Sequence, residues 1–441
     1  MRKIAIIVFI GIAIVAGAIF LSSKNKAIPN QVATVIEAVD ENPNVAEPED
    51  FGMGGEVGGE VSGEVGGEID SGTDLAALPD DVKPDSSKPV TAKPDTSKAD
   101  AELYSQIDQL FMLGFRGYTF ESASDIKKAL AETNLGGVIL FDYDTPTKKY
   151  VRNIQTESQI KKLISDLQSH SKTKLFVAVD EEGGKVSRLK NVAGFEKTSS
   201  AAYLGTQPTN TVQSTGKSLA VQLSEYGFNI DFAPDLDVNV NPKNPVIGAV
   251  DRSFSSDPKV VSEKGIAFIK GLLAGGISPV GKHFPGHGSS TADSHLGFVD
   301  ITDTYKEYEL EPFKDACAAG LPAVMVAHVY DKNVDTKYPA TLSKQHVENL
   351  KKKAGCSTQL IFSDDMDMRA ISSQYGRETA LTLAINAGVD VIVISNNVTG
   401  YDKDAFFKAR KIVFDAVKKG TISKTRIEES YKKIIAFKKK F

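Results

Sequence analysis

The sequence predicts an α/β protein, a single closed (β/α)8 TIM barrel carried behind a long disordered tether. Three observations predict it: eight short apolar runs after residue 101, amphipathic helical stretches between them, and an abrupt change of composition near residue 100. Near-continuous apolar strands alternating with helices imply a parallel sheet covered on both faces. The 441 residues leave room for one domain of about 250 residues or more and a substantial remainder.

Taken in order, the chain begins with Arg2 and Lys3 ahead of an almost unbroken apolar run, Ile4 to Leu21, closed by Ser22, Ser23 and Lys24. Positive charge before a run that is apolar on every helical face reads as an export signal. At about 18 residues it is at the short end of a membrane span, so residues 1–23 are expected to be a signal peptide or an amino-terminal membrane anchor. The small residues Ala16-Gly17-Ala18 lie inside the run, where a peptidase seldom cuts, which favours the anchor. No cysteine follows, which excludes a lipoprotein. An extracytoplasmic protein, membrane-anchored, secreted or cell-wall associated, is the expectation.

Residues 24–100 cannot build a core. They hold one aromatic residue, Phe51, the low-complexity stretch GGEVGGEVSGEVGGEI, and 17 acidic against 6 basic residues. Such a chain is a solvated, self-repelling tether with a reach of about 50 Å. With the charges of Arg2 and Lys3 set aside, the overall net charge of −5 leaves about +4 after residue 100. That mild balance offers no footprint for nucleic acid, whose binding needs clustered basic charge.

From 101 to 441 the strand-length runs are 110–115, 136–141, 174–180, 228–234, 277–284, 323–329, 358–365 and 389–395. Helical patterns fall at Glu157 to Ser169, Thr211 to Tyr226, Val260 to Ala274, Gln345 to Lys353 and Glu378 to Ala387. Eight βα units point to a barrel. An open doubly wound sheet would compete, but no G-x-G-x-x-G follows the first run. Cys317 and Cys356, far apart in sequence, suggest neither a disulfide framework nor a thiolate zinc site.

In a barrel, reactive groups gather at the carboxyl ends of the strands. Five runs end in polar residues unusual for a strand: Asp180-Glu181-Glu182, Asp235 with Asp237, Lys282-His283, His328, and Ser363-Asp364-Asp365. One such residue would be a plain helix cap, but five ends together point to a site. Three of the six histidines, His283, His287 and His295, fall with Asp293 in KHFPGHGSSTADSH, residues 282–295. Pro285, Gly286 and Gly288 break any helix there, so the two-histidine helical face of a zinc hydrolase is not available. Acid/base work or substrate contact is the reading of this loop; no metal and no cofactor are expected.

KHFPGHG followed by DSH resembles the signature of family 3 glycoside hydrolases, in their β-N-acetylglucosaminidase (β-N-acetylhexosaminidase) branch. DEEGGKVSR (180–188), DFAPDLDVN (231–239), VIGAVDRSF (246–254), VMVAH (324–328) and FSDDMDM (362–368) extend the resemblance over residues 101–441 in the family's order, and RIEESYKKIIAFKKK resembles the last helix of single-barrel members. The resemblance implies a retaining, exo-acting hydrolase of terminal β-linked N-acetylglucosamine, with Asp364 as nucleophile. It assigns the acid/base to His295, paired with Asp293 on a mobile loop. Asp180, Arg188, Arg252, Lys282 and His283 are then expected to bind the sugar, with His287 and His328 behind them. Asp365 is read as a bystander or helix cap, because successive strand residues face opposite sides; His170 and His346 are read as surface residues.

Two departures from the family pattern stand out: Glu181 and Lys185 where DQEGGR is common, and Ser289-Ser290 where Asp-Thr is common. The compartment and the chemistry together make peptidoglycan or muropeptide fragments the expected substrate and a monomeric catalytic domain the expected form. Three alternatives remain open: a phosphorylase, since a neutral imidazole does not repel phosphate; a β-glucosidase of the same family; and a non-catalytic cell-wall glycan-binding module.

Overall fold

The computed structural model describes residues 96–398 and 400–441. The expected signal or anchor, and the expected tether as far as residue 95, lie outside the described residues. Among the described residues no helix is long and apolar enough to cross a membrane.

The eight apolar runs form eight parallel strands: β1 (Phe111–Gly114), β2 (Gly137–Ile139), β3 (Phe176–Val179), β4 (Ile230–Asp231), β5 (Ser278–Phe284), β6 (Ala323–Val326), β7 (Leu360–Ser363) and β8 (Ile392–Ile394). Each pairs with the next in sequence from β1 to β7, and β8 lies against β1 in the register Phe111–Ile392. A bridge between Phe362 and Val391, with the Ser363 N–H on the Val391 carbonyl at 2.9 Å, joins β8 back to β7 and closes the ring. Sequential order around a closed ring is the (β/α)8 arrangement.

Inward-facing aromatics fill the barrel. Phe362 on β7 contacts Phe176 on β3, four strands away, and Phe232 after β4, at ring separations of 6.2 and 5.6 Å, so all three point into the interior. The period of two then has a direct consequence. Counting on from Phe362 and Phe176, the next inward positions at the carboxyl end are Asp364 on β7 and, two alternations on, Asp180 on β3.

The predicted helices are found at Glu157–Ser169, Thr209–Tyr226, Pro258–Ala274, Lys344–Lys352 and Arg377–Ala387. Local chemistry sets their ends: the Thr156 hydroxyl accepts the Gln159 N–H, Asp257 precedes Pro258 in the first turn, and Gly227 takes the left-handed conformation, φ 97°, that closes the second of them. Helices at Thr96–Asp108, Ser124–Glu132, Glu311–Ala318 and Ala405–Lys418 lie outside the stretches named from sequence. The last helix, Lys424–Lys438, seals the amino-terminal end of the barrel. Its Lys438 ammonium is buried beneath Phe176 and donates to Gln109 Oε1 and the Gly136 carbonyl at 2.8 and 2.6 Å; burial pulls its pKa down to about 7.

Two expectations are corrected. Cys317 and Cys356 form a disulfide, with Cα atoms 5.4 Å apart. Cys317 lies just before β6 and Cys356 just before β7, so their separation of 39 residues is close to one βα repeat and brings them side by side. His346 is buried, not a surface residue: it shares the inward face of its helix with Val347 and Leu350, and burial lowers its pKa to about 4. His170 is exposed and stacks on Phe120.

Candidate active site

The carboxyl ends of β3, β4 and β5 meet in one charged network. Lys282, at the end of β5, places its ammonium 2.8 Å from Asp180 Oδ1 and 2.6 Å from Glu182 Oε1. Arg252, in the loop after β4, grips Glu182 with Nε and Nη2 at 2.8 and 2.7 Å, a bidentate pair. Arg188 approaches Asp180 at 3.6 Å from the rim. Burial opposes charge on Glu182, yet Arg252 and Lys282 outweigh it and hold the carboxyl well below its usual range. The same balance, with Lys282 and Arg188, lowers Asp180, whose side chain keeps 16% of its surface open. Asp180 is therefore an ionised acceptor presented to the cavity, and the cations around it are donors already fixed in place.

His283 links this network to the loop beyond. Its Nδ1 donates to Asp237 Oδ2 at 2.7 Å, and its Nε2 lies 3.2 Å from Arg252 Nη2. The other oxygen of Asp237 accepts the His287 N–H at 2.7 Å. Asp235, Asp237 and His283 bring their donor atoms within 4.8 Å of one another, the one such group among the described residues. Arg252 also stands 3.5 Å from Asp235 Oδ2, so a cationic side chain already faces the place a metal ion would take.

The loop after β5 has a rigid stem. Asn244 donates to the His287 carbonyl at 2.7 Å and Asn241 to the Ser290 carbonyl at 2.9 Å. From the other side the buried carboxylate of Glu309 accepts the N–H groups of Ser289 and Lys306 and so ties the two ends of the loop together. Gly286, with φ 136°, is required there, because a Cβ would come 2.9 Å from that of Glu309. Burial raises Glu309 to about 7.

The tip of the loop carries Asp293 and His295. Asp293 Oδ1 accepts both the backbone N–H of His295, at 2.8 Å, and its ring Nδ1, at 2.7 Å. A carboxylate can only accept, so Nδ1 carries a proton and Nε2 is the nitrogen turned outward. Burial disfavours the imidazolium, but the hydrogen bond and charge of Asp293, with Asp364 behind them, raise the ring above its usual value near 6.5. His287 braces the tip by contacting Ser294 Oγ at 3.1 Å, and the Ser294 carbonyl receives the Ala370 N–H from the loop after β7. Burial drops His287 to about 4.

Asp364 faces the same space from β7. Burial alone would raise its carboxyl, yet the neighbouring imidazoles of His328, His283 and His295 hold it at about 2. Asp365 turns the other way, as the alternation requires, and binds the N–H of Ser395 at 2.8 Å and the Ser395 hydroxyl. It also accepts the Asp367 N–H at 3.1 Å, but the helix that follows, Arg369–Ser372, has Met368 at its N-cap, so Asp365 is not its cap; the Asp365 carbonyl accepts from His328 Nε2 at 2.9 Å, and burial lifts its own carboxyl to about 7.

The site residues expected from sequence thus gather at the carboxyl end of the barrel: Asp180, Lys282, Arg188, Arg252 and His283 share one charged network, Asp293 and His295 are paired on the loop after β5, and His283 and His295 both act on Asp364. Sequence reading gave no role to Glu182, Asp237 or Glu309. The first two were visible as polar strand ends; Glu309 had no signal, since it sits in a short 3-10 turn far along the loop. Glu181, where the family commonly has glutamine, is fully buried and accepts the Leu189 N–H at 3.0 Å. Burial raises it to about 7, so below neutral pH it is largely a neutral group of glutamine's shape.

Residues 102–437 match the model of the glycosyl hydrolase family 3 N-terminal domain. The chain is 34% identical over 287 residues to a β-hexosaminidase of Tolumonas auensis, an alignment covering 64% of this chain and 81% of that protein. A β-hexosaminidase of Neisseria meningitidis is 33% identical over 288 residues, covering 63% and 76%. Among solved structures, a glycoside hydrolase family 3 β-N-acetylglucosaminidase from Paenibacillus sp. superimposes with a TM-score of 0.70 at 32% identity. The match covers 77% of this chain and 62% of that longer one.

Proposed function

The chain belongs to glycoside hydrolase family 3, as a β-hexosaminidase-type enzyme of O-glycosyl bonds, and from that premise we propose a retaining, exo-acting mechanism on terminal β-linked N-acetylglucosamine. Asp364 attacks the anomeric carbon and forms a covalent glycosyl-enzyme. His295 delivers the proton on Nε2 to the departing oxygen and then takes one from the water that releases the sugar. Asp293 holds the ring and steadies its charged form. What supports this reading is the 2.7 Å bond between His295 Nδ1 and Asp293 Oδ1, together with an Asp364 carboxylate near enough for its charge to raise that imidazole. Asp180, Lys282, Arg188, Arg252 and His283 bind the hydroxyls of the terminal sugar through charge-assisted hydrogen bonds.

We place the enzyme outside the cytoplasmic membrane, acting on peptidoglycan or its fragments. The Cys317–Cys356 disulfide supports an oxidising compartment, and the amino-terminal apolar run supports export and attachment to the membrane.

The test uses aryl β-N-acetylglucosaminide and aryl β-glucoside, each with and without phosphate. Free N-acetylglucosamine from the first substrate alone, whatever the phosphate, is the expected result. Asp364→Ala should lower kcat by at least about a thousandfold, and His295→Ala by roughly 10²–10⁴ on a poor leaving group and less on the aryl one. A sugar phosphate as main product would make the enzyme a phosphorylase, and full activity in Asp364→Ala would remove the nucleophile assignment.

A further inference from the structure

The charged network and the segment that follows His295 differ in kind. The network at the ends of β3 to β5 is paired with itself, as a pocket for the hydroxyls of a terminal sugar must be. The residues after His295 are apolar and open: Leu296 is 55% and Phe298 45% exposed, among few large hydrophobic side chains so placed in the described chain. The Phe298 ring lies 5.2 Å from that of Tyr330, tilted by 45°. Tyr330 comes two residues after His328, one of the imidazoles that acts on Asp364. The aromatic pair therefore lies between the loops that carry two of the groups closest to the reaction.

Backbone bonds fix this ledge. Val299 pairs with Val329 and Asp300 with Tyr330 in a short parallel ladder, and the Ile301 N–H donates to the Tyr330 carbonyl at 2.8 Å. The Tyr330 hydroxyl donates to the Thr336 carbonyl at 3.0 Å, which holds the ring upright. An exposed apolar patch kept in place at the mouth of a polar site marks a binding surface.

We propose that Leu296, Phe298 and Tyr330 form the platform for the leaving-group side of the substrate, and that its occupant is a second pyranose ring. This rests on His295 as the proton donor, because the group that protonates the departing oxygen stands on the leaving-group side and its neighbours are what the aglycone touches. A pyranose carries a face of C–H groups that packs on an aromatic face, while its rim of hydroxyls remains in water. The enzyme then selects glycosidic bonds between two sugars over bonds to small alcohols.

The experiment compares two substrates with the same glycone: N-acetyl-β-glucosaminyl fluoride, which has almost no aglycone, and N,N′-diacetylchitobiose, whose aglycone is a sugar. The readout is the ratio of kcat/KM for the disaccharide to that for the fluoride. Phe298→Ala should lower the ratio about threefold to tenfold and Phe298→Trp should restore it. Leu296→Ser, at a side chain open enough to leave folding unaffected, should lower it in the same direction. A ratio unchanged in both Phe298→Ala and Leu296→Ser would overturn the platform, as would wild-type enzyme that hydrolyses the fluoride and leaves the disaccharide intact. Wild-type enzyme inert on the fluoride would instead overturn the hydrolase reading on which the platform rests.

Discussion

Asp293 offers one oxygen to two N–H groups of the same residue, and that economy gives His295 its character. The backbone bond holds the Asp293 carboxylate in the place from which it also accepts the ring N–H. Because Asp293 and Asp364 both raise the imidazole while Asp364 stays ionised down to about pH 2, the enzyme's kcat/KM should fall on the alkaline side at a pH above 6.5, as His295 loses its proton. Asp293→Asn keeps an acceptor but removes the charge, which lowers the imidazole pKa, so the alkaline limb should move to lower pH. A profile measured on both proteins checks this, and a limb that stays put would free Asp293 of its electrostatic role. That Asp364 and Asp365 face opposite sides was legible in the sequence; which of the two faces inward follows from the contacts of Phe362 inside the closed ring. The pairing of Glu182 with Arg252 and Lys282 was not legible, because it depends on which loops the closed ring brings together.

At the scale of elements, each strand contributes its last residues to the cavity and the loop beyond it contributes the support. The segment after β3 shows the division: Asp180 faces the cavity, while Glu181 is buried against the Leu189 N–H and Asp231. A carboxyl whose folded pKa, about 7, exceeds the value of 4.5 it has unfolded stabilises the fold fully below pH 4.5 and loses that contribution as pH rises through 7. Glu181→Gln should therefore match the wild type in melting temperature near pH 4 and exceed it increasingly towards pH 8; a gap independent of pH would mean Glu181 ionises without cost. The strand positions were readable as apolar runs even where β4 has only two residues in ladder geometry. The helices Ser124–Glu132 and Glu311–Ala318 were not, since stretches of nine and eight residues owe their helicity to packing on the barrel; Ala405–Lys418 is long and amphipathic and was simply passed over.

For the whole molecule the disulfide ties the entries to β6 and β7, the strands behind His328 and Asp364. Closing a loop of this length is worth about 2–4 kcal/mol, so the Cys317→Ala, Cys356→Ala double variant should lose that much in denaturant unfolding. Its kcat at low temperature should be retained, because the bond is remote from the cavity. A larger loss of kcat than of stability would mean that the floor of the barrel sets the geometry of its mouth. The spacing of the two cysteines was visible in the sequence, but it means contact only once the βα repeat is known. The closure of the ring by β8 and the seat of Lys438 under β1 and β2 have a further consequence, for biosynthesis. The first strands of the domain find their last partners at its far end, so while the chain emerges residue by residue it holds a seven-stranded sheet with two bare edges, β1 and β7. Until residue 394 and the final helix are available those edges can recruit strands from neighbouring molecules, and the interval of synthesis is when this protein most needs a chaperone.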